Sequence, residues 1–155
     1  MGGKKRKAFI LSCFLLCSFA VLTAQSQNLP QGTIVIQGED FAAEGGGKVE
    51  FVERGGAQTF RMWDYPGHWL EWKFSTPEAK RWKIAIRYAA ATVPRRDLLI
   101  NEEYPVINFM NIAFLNTGDW SNMQLVYLAD EQGAPLTVWL DQGEHQHKMH
   151  NLAGG

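Results

Sequence analysis

The chain has 155 residues, of which 46% are hydrophobic and 20% are charged, and its formal net charge at pH 7 is −1. Four of its 15 Lys and Arg residues fall in residues 4–7, so the remainder is mildly acidic, which argues against nucleic acid or an anionic membrane surface as a partner. Both cysteines, Cys13 and Cys17, lie near the N-terminus, and the rest of the chain therefore has no disulfide or thiolate chemistry.

The N-terminus has the pattern of a targeting segment. The positive residues 4–7 precede an apolar run over residues 8–22, and Ala24-Gln25-Ser26 supplies a small-x-small cleavage pattern. This pattern predicts a secretory signal peptide over residues 1–26 and a secreted or periplasmic protein. A membrane anchor is the weaker alternative, because the run falls short of the ~20 strongly apolar residues that a span needs.

The remaining chain is long enough for one domain with a sizeable core. A polar lead-in over residues 27–32 precedes a single predicted domain over residues 33–155. Short segments with β-strand patterns follow one another between turns, which predicts an all-β sandwich. The predicted strands cover residues 33–37, 48–52, 59–63, 70–74, 81–88, 97–100, 106–115, 123–128 and 136–140.

The most informative segment runs from Arg61 to Phe74. After its Pro-Gly turn, alternation places Leu70, Trp72 and Phe74 on one face of a strand. Trp63 and Tyr65 precede the turn, where a loop would expose them as flat apolar surfaces for sugar rings. The alternative is that both rings fold back as a plug over the core.

One further loop is rich in glycine. Gly45-Gly46-Gly47 follows the acidic segment Glu39-Asp40 and is expected to be a flexible turn.

Four motifs in order resemble carbohydrate-binding modules of families 6 and 35. They are Ile36-Gln-Gly-Glu39-Asp40-Phe41, Trp63 to Trp72 with Gly67-His68-Trp69, Thr117-Gly118-Asp119-Trp120, and Leu140-Asp-Gln-Gly143-Glu-His145. The likeness spans residues 34–150. It implies a jelly-roll β-sandwich of the galactose-binding-like type that contains calcium and binds a polysaccharide or oligosaccharide.

The resemblance also implies a sugar site at the loop end of the sandwich, between two aromatic side chains. By position these are Trp63 and Trp120, with Asp64, Tyr65 and His68 as candidates for its rim. A core position is the alternative for Trp120, but the turn residues 116–119 before it favour exposure.

For calcium, the resemblance places Glu39 at the second carboxylate of the opening strand and Gln37 at the first, where a neutral amide oxygen replaces a charge. A solvated loop carboxylate is the alternative for Glu39. The family's last strand carries a sugar-binding Asn and a calcium Asp, and Asn151 comes too early to match it. The resemblance therefore predicts a domain that is incomplete at its C-terminus and can self-associate through an edge strand without a partner.

Three other functions compete with carbohydrate binding. An enzyme could use carboxylates or a histidine, but no motif fixes a pair; the candidates are Glu71, Asp97, Glu102, Glu103 and His68. A zinc protein could use His145 and His147 on one strand face, together with His150. A structural or adhesion sandwich would use the aromatics as a protein interface. The sequence favours a non-catalytic module that acts alone or as the accessory domain of a glycoside hydrolase or polysaccharide lyase.

Overall fold

The structure, a computed structural model, describes residues 29–151 and is built almost entirely of strands. The predicted signal peptide and the first part of the lead-in lie outside the described residues. Within 29–151, no helix is long and apolar enough to span a bilayer. The strands are β1 Ala43–Gly45, β2 Glu50–Arg54, β3 Ala57–Arg61, β4 His68–Thr76, β5 Lys80–Lys83, β6 Ala85–Tyr88, β7 Arg95–Ile100, β8 Ile112–Ala113, β9 Gln124–Tyr127, β10 Thr137–Leu140 and β11 Gly143–Asn151.

One layer of the molecule is a five-stranded sheet in the order β1-β4-β11-β7-β8. The long strands β4 and β11 form its centre and pair over nine residues, from Gly143 opposite Thr76 to Asn151 opposite His68. Leu70 and Met149 lie side by side on the inner face and are buried there, as the alternation of β4 predicts.

The opposite layer contains a ribbon of β5 and β6 paired with β9 and β10. Leu128 N–H donates to the Ile84 carbonyl, and Leu136 N–H donates to the Leu128 carbonyl at 2.8 Å. Because these two bonds share Leu128, β9 and β10 lie end to end along one edge of the strand formed by β5 and β6. Residues 129–135 loop out between them.

The hydrophobic core lies between the two layers. It joins residues of the five-stranded sheet to Leu128, Val138 and Leu140 of the ribbon. The predicted all-β sandwich is therefore confirmed.

Two predicted strands differ in the structure. Residues 33–37 have no strand partner within the described part of the chain, so this prediction is wrong there. Residues 106–115 contain the 3₁₀ turn Ile107–Phe109 and only the two-residue strand β8. The cause is Asp97, which is buried and accepts the Asn111 N–H at 2.6 Å and the Tyr104 hydroxyl at 2.5 Å, so that this segment folds back over it.

The three-glycine segment is a packed crossing rather than a flexible turn. Gly46 has φ of +74°, and a Cβ there would clash with the Gly67 carbonyl. A Cβ on Gly47 would clash with the His68 ring. Glycine is required because the backbone passes directly over the start of β4.

Candidate functional site

Trp63, the first predicted stacking residue, is packed against the core. Its indole N–H donates to the His68 carbonyl at 3.1 Å, and its ring meets Phe60 and Trp72 edge-on, with centroids 5.7 and 6.5 Å apart. The Arg96 guanidinium lies 4.6 Å from the ring centroid. The Trp63 ring is therefore packed on the core but stays half-buried, and its contact with sugar stays a prediction.

Arg96 fixes the backbone of this loop as well as the ring. Its Nη2 donates to the Trp63 carbonyl at 2.7 Å, and Asn151 Nδ2 donates to the same oxygen at 3.1 Å. Burial lowers the pKa of Arg96 to about 10, and the nearby Asp64 carboxylate acts in the opposite direction. The guanidinium stays charged at neutral pH, so its hydrogen bond to the carbonyl is a charge-assisted one.

His68 lies inside the protein and not at the rim. The residue is 0% exposed, and its Nε2 is 2.9 Å from Glu44 Oε1, which also accepts the Val49 N–H at 2.6 Å. Its Nδ1 has no hydrogen-bond partner among the described residues. His68 therefore ties β4 to β1 and has no exposed surface in this structure.

Asp64 and Tyr65 occupy the exposed part of the same loop. Tyr65 is 58% exposed, and its carbonyl accepts the His68 N–H at 3.1 Å, which closes the turn before β4. Both side chains lie where a rim would need them, and their contact with sugar stays a prediction.

Trp120, the second predicted stacking residue, is 47% exposed, so its predicted exposure is confirmed. Its loop is held firmly. Thr117 exchanges backbone and side-chain hydrogen bonds with Ala90, and Asp119 Oδ1 accepts the N–H groups of Ser121 and Asn122 at 2.6 and 3.0 Å. The loop presents a large ring on a pre-ordered backbone, which reduces the entropy lost when a ligand stacks on it.

The Trp63 and Trp120 loops lie at the same end of the sandwich. The Trp120 loop contacts Ala90 after β6, and the Trp63 loop contacts Arg96 at the start of β7. The β2–β3 hairpin lies between them: Gly55 at its tip abuts the Ser121 carbonyl, and β3 leads away toward Trp63. Whether Trp63 and Trp120 contact one sugar together stays a prediction.

The predicted calcium ligands are sparse. Glu39 is half-buried and Gln37 is exposed, and residues 29–151 contain no group of three or more His, Cys, Asp or Glu side chains that could hold a metal. Calcium takes six to eight oxygen ligands, of which these two side chains would supply only a part. Calcium binding stays a prediction.

The histidines considered for zinc are engaged elsewhere. His145 and His147 share one face of β11 as predicted, and this is the inner face, where their rings lie near Phe74 and Trp72. Both nitrogens of His145 are within hydrogen-bond distance of protein atoms, with Nδ1 3.0 Å from Asn101 Nδ2 and Nε2 2.8 Å from the Asp141 carbonyl.

Two of the carboxylates considered for catalysis have contacts that hold the fold together. Asp97 is buried and accepts hydrogen bonds from the Tyr104 hydroxyl and the Asn111 N–H. Glu71 Oε2 forms an ion pair with Lys148 Nζ at 3.2 Å.

One concave feature lies away from the predicted site. A cavity of about 290 Å³ opens between the layers, lined on the apolar side by residues such as Ile86, Leu128 and Phe114 and at its mouth by Asn108 and Glu131. No sequence pattern points to it, because it depends on how the ribbon faces β8.

Sequence reasoning also missed two exposed aromatics on the ribbon. Trp139 is 59% exposed and Tyr127 is 41% exposed. The alternation of β10, in which Val138 and Leu140 are buried, could have identified the outward position of Trp139.

No model of a protein family and no curated protein sequence matches the chain. Solved structures do. A family 35 carbohydrate-binding module from Clostridium thermocellum is 19% identical, with a TM-score of 0.61 over 78% of this chain and 87% of that chain. The C-terminal family 6 module of a marine laminarinase from Zobellia galactanivorans is 20% identical, with a TM-score of 0.59 over 77% and 89%. A mannanase from Podospora anserina with a family 35 module is 19% identical, with a TM-score of 0.54 over 77% of this chain and 24% of that chain. The chain thus has the β-sandwich fold of family 6 and family 35 carbohydrate-binding modules.

Proposed function

We propose that this protein is an exported, non-catalytic module that binds a polysaccharide or oligosaccharide. The contact surface is the loop end of the sandwich, with Trp120 as the stacking ring and Asp64 and Tyr65 on the neighbouring loop. The pyranose C–H face packs on the indole, and rim groups hydrogen-bond to hydroxyls.

The observation that carries this proposal is the exposure of the Trp120 ring on a loop that is held in place by hydrogen bonds. The half-exposed indole offers an apolar ring face to solvent, and the loop that carries it is fixed by at least four hydrogen bonds of Thr117 and Asp119. The similarity in fold to carbohydrate-binding modules supports the same use.

The test is binding to a panel of soluble neutral oligosaccharides and polysaccharides by calorimetry or affinity gel electrophoresis. Trp120→Ala should weaken binding by roughly 1–3 kcal/mol, as loss of a stacking anchor does, and should leave the thermal transition in place. Trp120→Phe keeps an aromatic face and should retain most of the affinity. Wild-type protein that binds no glycan in the panel would contradict the proposal.

Glycan binding and an assay for reducing ends together separate this function from a structural or adhesion sandwich and from an enzyme. A structural or adhesion sandwich would show no saturable binding of soluble oligosaccharide. An enzyme would release reducing ends from the polysaccharides, and a non-catalytic module would not. A role as the accessory domain of a glycoside hydrolase or polysaccharide lyase is compatible with the proposal. The mannanase described above carries a module of this fold.

A further inference from the structure

The outer face of the ribbon carries a row of cations. On the strand formed by β5 and β6, the core-facing residues alternate with Arg81, Lys83 and Arg87, and these three side chains are exposed. Alternate residues of a strand lie about 6.6 Å apart, so the row extends over roughly 20 Å. An array of this length suits an extended polymer rather than a single small anion.

Aromatic side chains lie beside this row. Arg81 is directly opposite Trp139, and Ala85 is directly opposite Tyr127, so all four side chains share the outer face. The Trp139 indole N–H donates to Asp141 Oδ1 at 3.0 Å, which fixes the orientation of the exposed ring. Guanidinium and indole groups are thus held next to each other on a rigid sheet.

The row stands out against the charge of the rest of the domain. All 16 Asp and Glu residues follow residue 28, but only 11 of the 15 Lys and Arg residues do. Even so, Arg81, Lys83 and Arg87 form no ion pair within residues 29–151.

The acidic groups near the row form no ion pair with its cations among residues 29–151. Asp141 accepts from Trp139, and Glu78 pairs with Lys80 at 2.6 Å. Glu131 is exposed on the loop that projects between β9 and β10. Arg81, Lys83 and Arg87 therefore have no ion-pair partner among residues 29–151, and an anionic ligand can supply one.

We propose that the outer face of the ribbon, comprising Arg81, Lys83, Arg87, Trp139 and Tyr127, binds an anionic polysaccharide. Guanidinium groups form paired hydrogen bonds with carboxylate or sulfate oxygens, and the aromatic rings pack on the C–H faces of the sugars. This inference rests on the proposed function for its choice of a glycan. Single-stranded nucleic acid also uses cations with aromatics, and oligothymidylate is therefore included in the test.

The test compares two pairs of substitutions that remove the same charge. Arg81→Gln with Lys83→Gln removes two cations of the row, and Lys48→Gln with Lys73→Gln removes two exposed cations elsewhere. Binding of the full chain to polygalacturonate, dextran sulfate, neutral dextran and oligothymidylate is measured at low and high salt.

The first pair should weaken polygalacturonate or dextran sulfate binding by roughly tenfold at low salt, with a smaller loss at high salt. The second pair should stay within about twofold of wild type at the same salt. Trp139→Ala should weaken the same binding without moving the thermal transition. A preference between the two polymers identifies carboxylate or sulfate as the recognised group.

Four results would overturn this inference. Equal losses in both pairs mean a diffuse charge effect, and tighter binding to oligothymidylate than to either anionic polysaccharide means a nucleic-acid surface. Binding to neutral glycans through Trp120 with none to the anionic polymers rejects the ribbon site and leaves the proposed function standing. A protein that binds no glycan of any kind rejects both.

Discussion

At the scale of single residues, the polar groups around the start of β4 hold the loop end in place. Arg96, Asn151 and Glu44 each bond either the Trp63 carbonyl or the His68 ring. Buried polar groups with partners stabilise one arrangement, because losing either partner leaves the other desolvated without a hydrogen bond. Trp63 therefore contributes to the scaffold from which Trp120 and Tyr65 are presented.

His147 makes stability depend on pH. Its ring stacks on Trp72 with centroids 4.9 Å apart, and desolvation lowers its pKa to about 4 from the ordinary 6.5. Between these values the unfolded chain binds a proton that the folded protein does not. The free energy of unfolding should therefore fall as pH drops from about 6.5 to about 4, by up to about 3 kcal/mol.

Urea unfolding at pH 4, 5, 6 and 7 measures this slope. His147→Phe keeps a ring against Trp72 and should flatten the pH dependence, and His150→Phe on the opposite face is the matched control. An unchanged slope in His147→Phe would show that another group titrates in this window.

At the scale of elements, patterns within one strand predicted more than pairings between strands. Alternation correctly placed Leu70 and Trp72 on the inner face of β4, because a half-buried strand needs only its own sequence to show its two sides. Residues 33–37 are rich in β-branched side chains but have no strand partner in the described chain. Strand formation depends on a free neighbouring edge, which composition does not encode.

The candidate site shows the same limit. The exposure of Trp120 followed from its own turn residues, whereas the burial of Trp63 depends on Arg96, 33 positions away. Local turn chemistry is readable from the sequence, but a contact across the fold is not.

The segment that leads into β1 carries the calcium prediction. Glu39 is half-buried, and the neighbouring Gly38 carbonyl accepts the Trp72 indole N–H at 3.0 Å, so an ion held there would tie this segment to β4. Added calcium should then raise the melting temperature by mass action, and a chelator should reverse the rise. Glu39→Gln should abolish the response, with Glu53→Gln on β2 as an exposed control. A wild-type protein that does not respond to calcium would contradict the prediction.

At the scale of the whole molecule, the two layers differ in how completely their strands are paired. β4 and β11 have neighbours on both sides, whereas β5 and β6 have β9 and β10 along one edge only within residues 29–151. The inner face of this strand is also incompletely covered: Ile84 and Ile86 are half-buried, and the buried Trp82 indole N–H has no hydrogen-bond partner among the described residues. An edge with free N–H and C=O groups beside apolar side chains can pair with a second chain.

We expect this edge to produce weak self-association that increases with protein concentration. The effect of salt on this association shows whether the β5–β6 edge is the interface. Arg81, Lys83 and Arg87 would repel their copies in an edge-to-edge dimer, so added salt should strengthen association by screening that repulsion. Ala85→Lys adds a cation to the same strand and should weaken association, and Ser75→Lys on the other layer should have little effect. Sedimentation velocity over a range of protein and salt concentrations measures all three proteins. A wild type that stays monomeric throughout, or association that salt weakens, would mean that this edge does not pair.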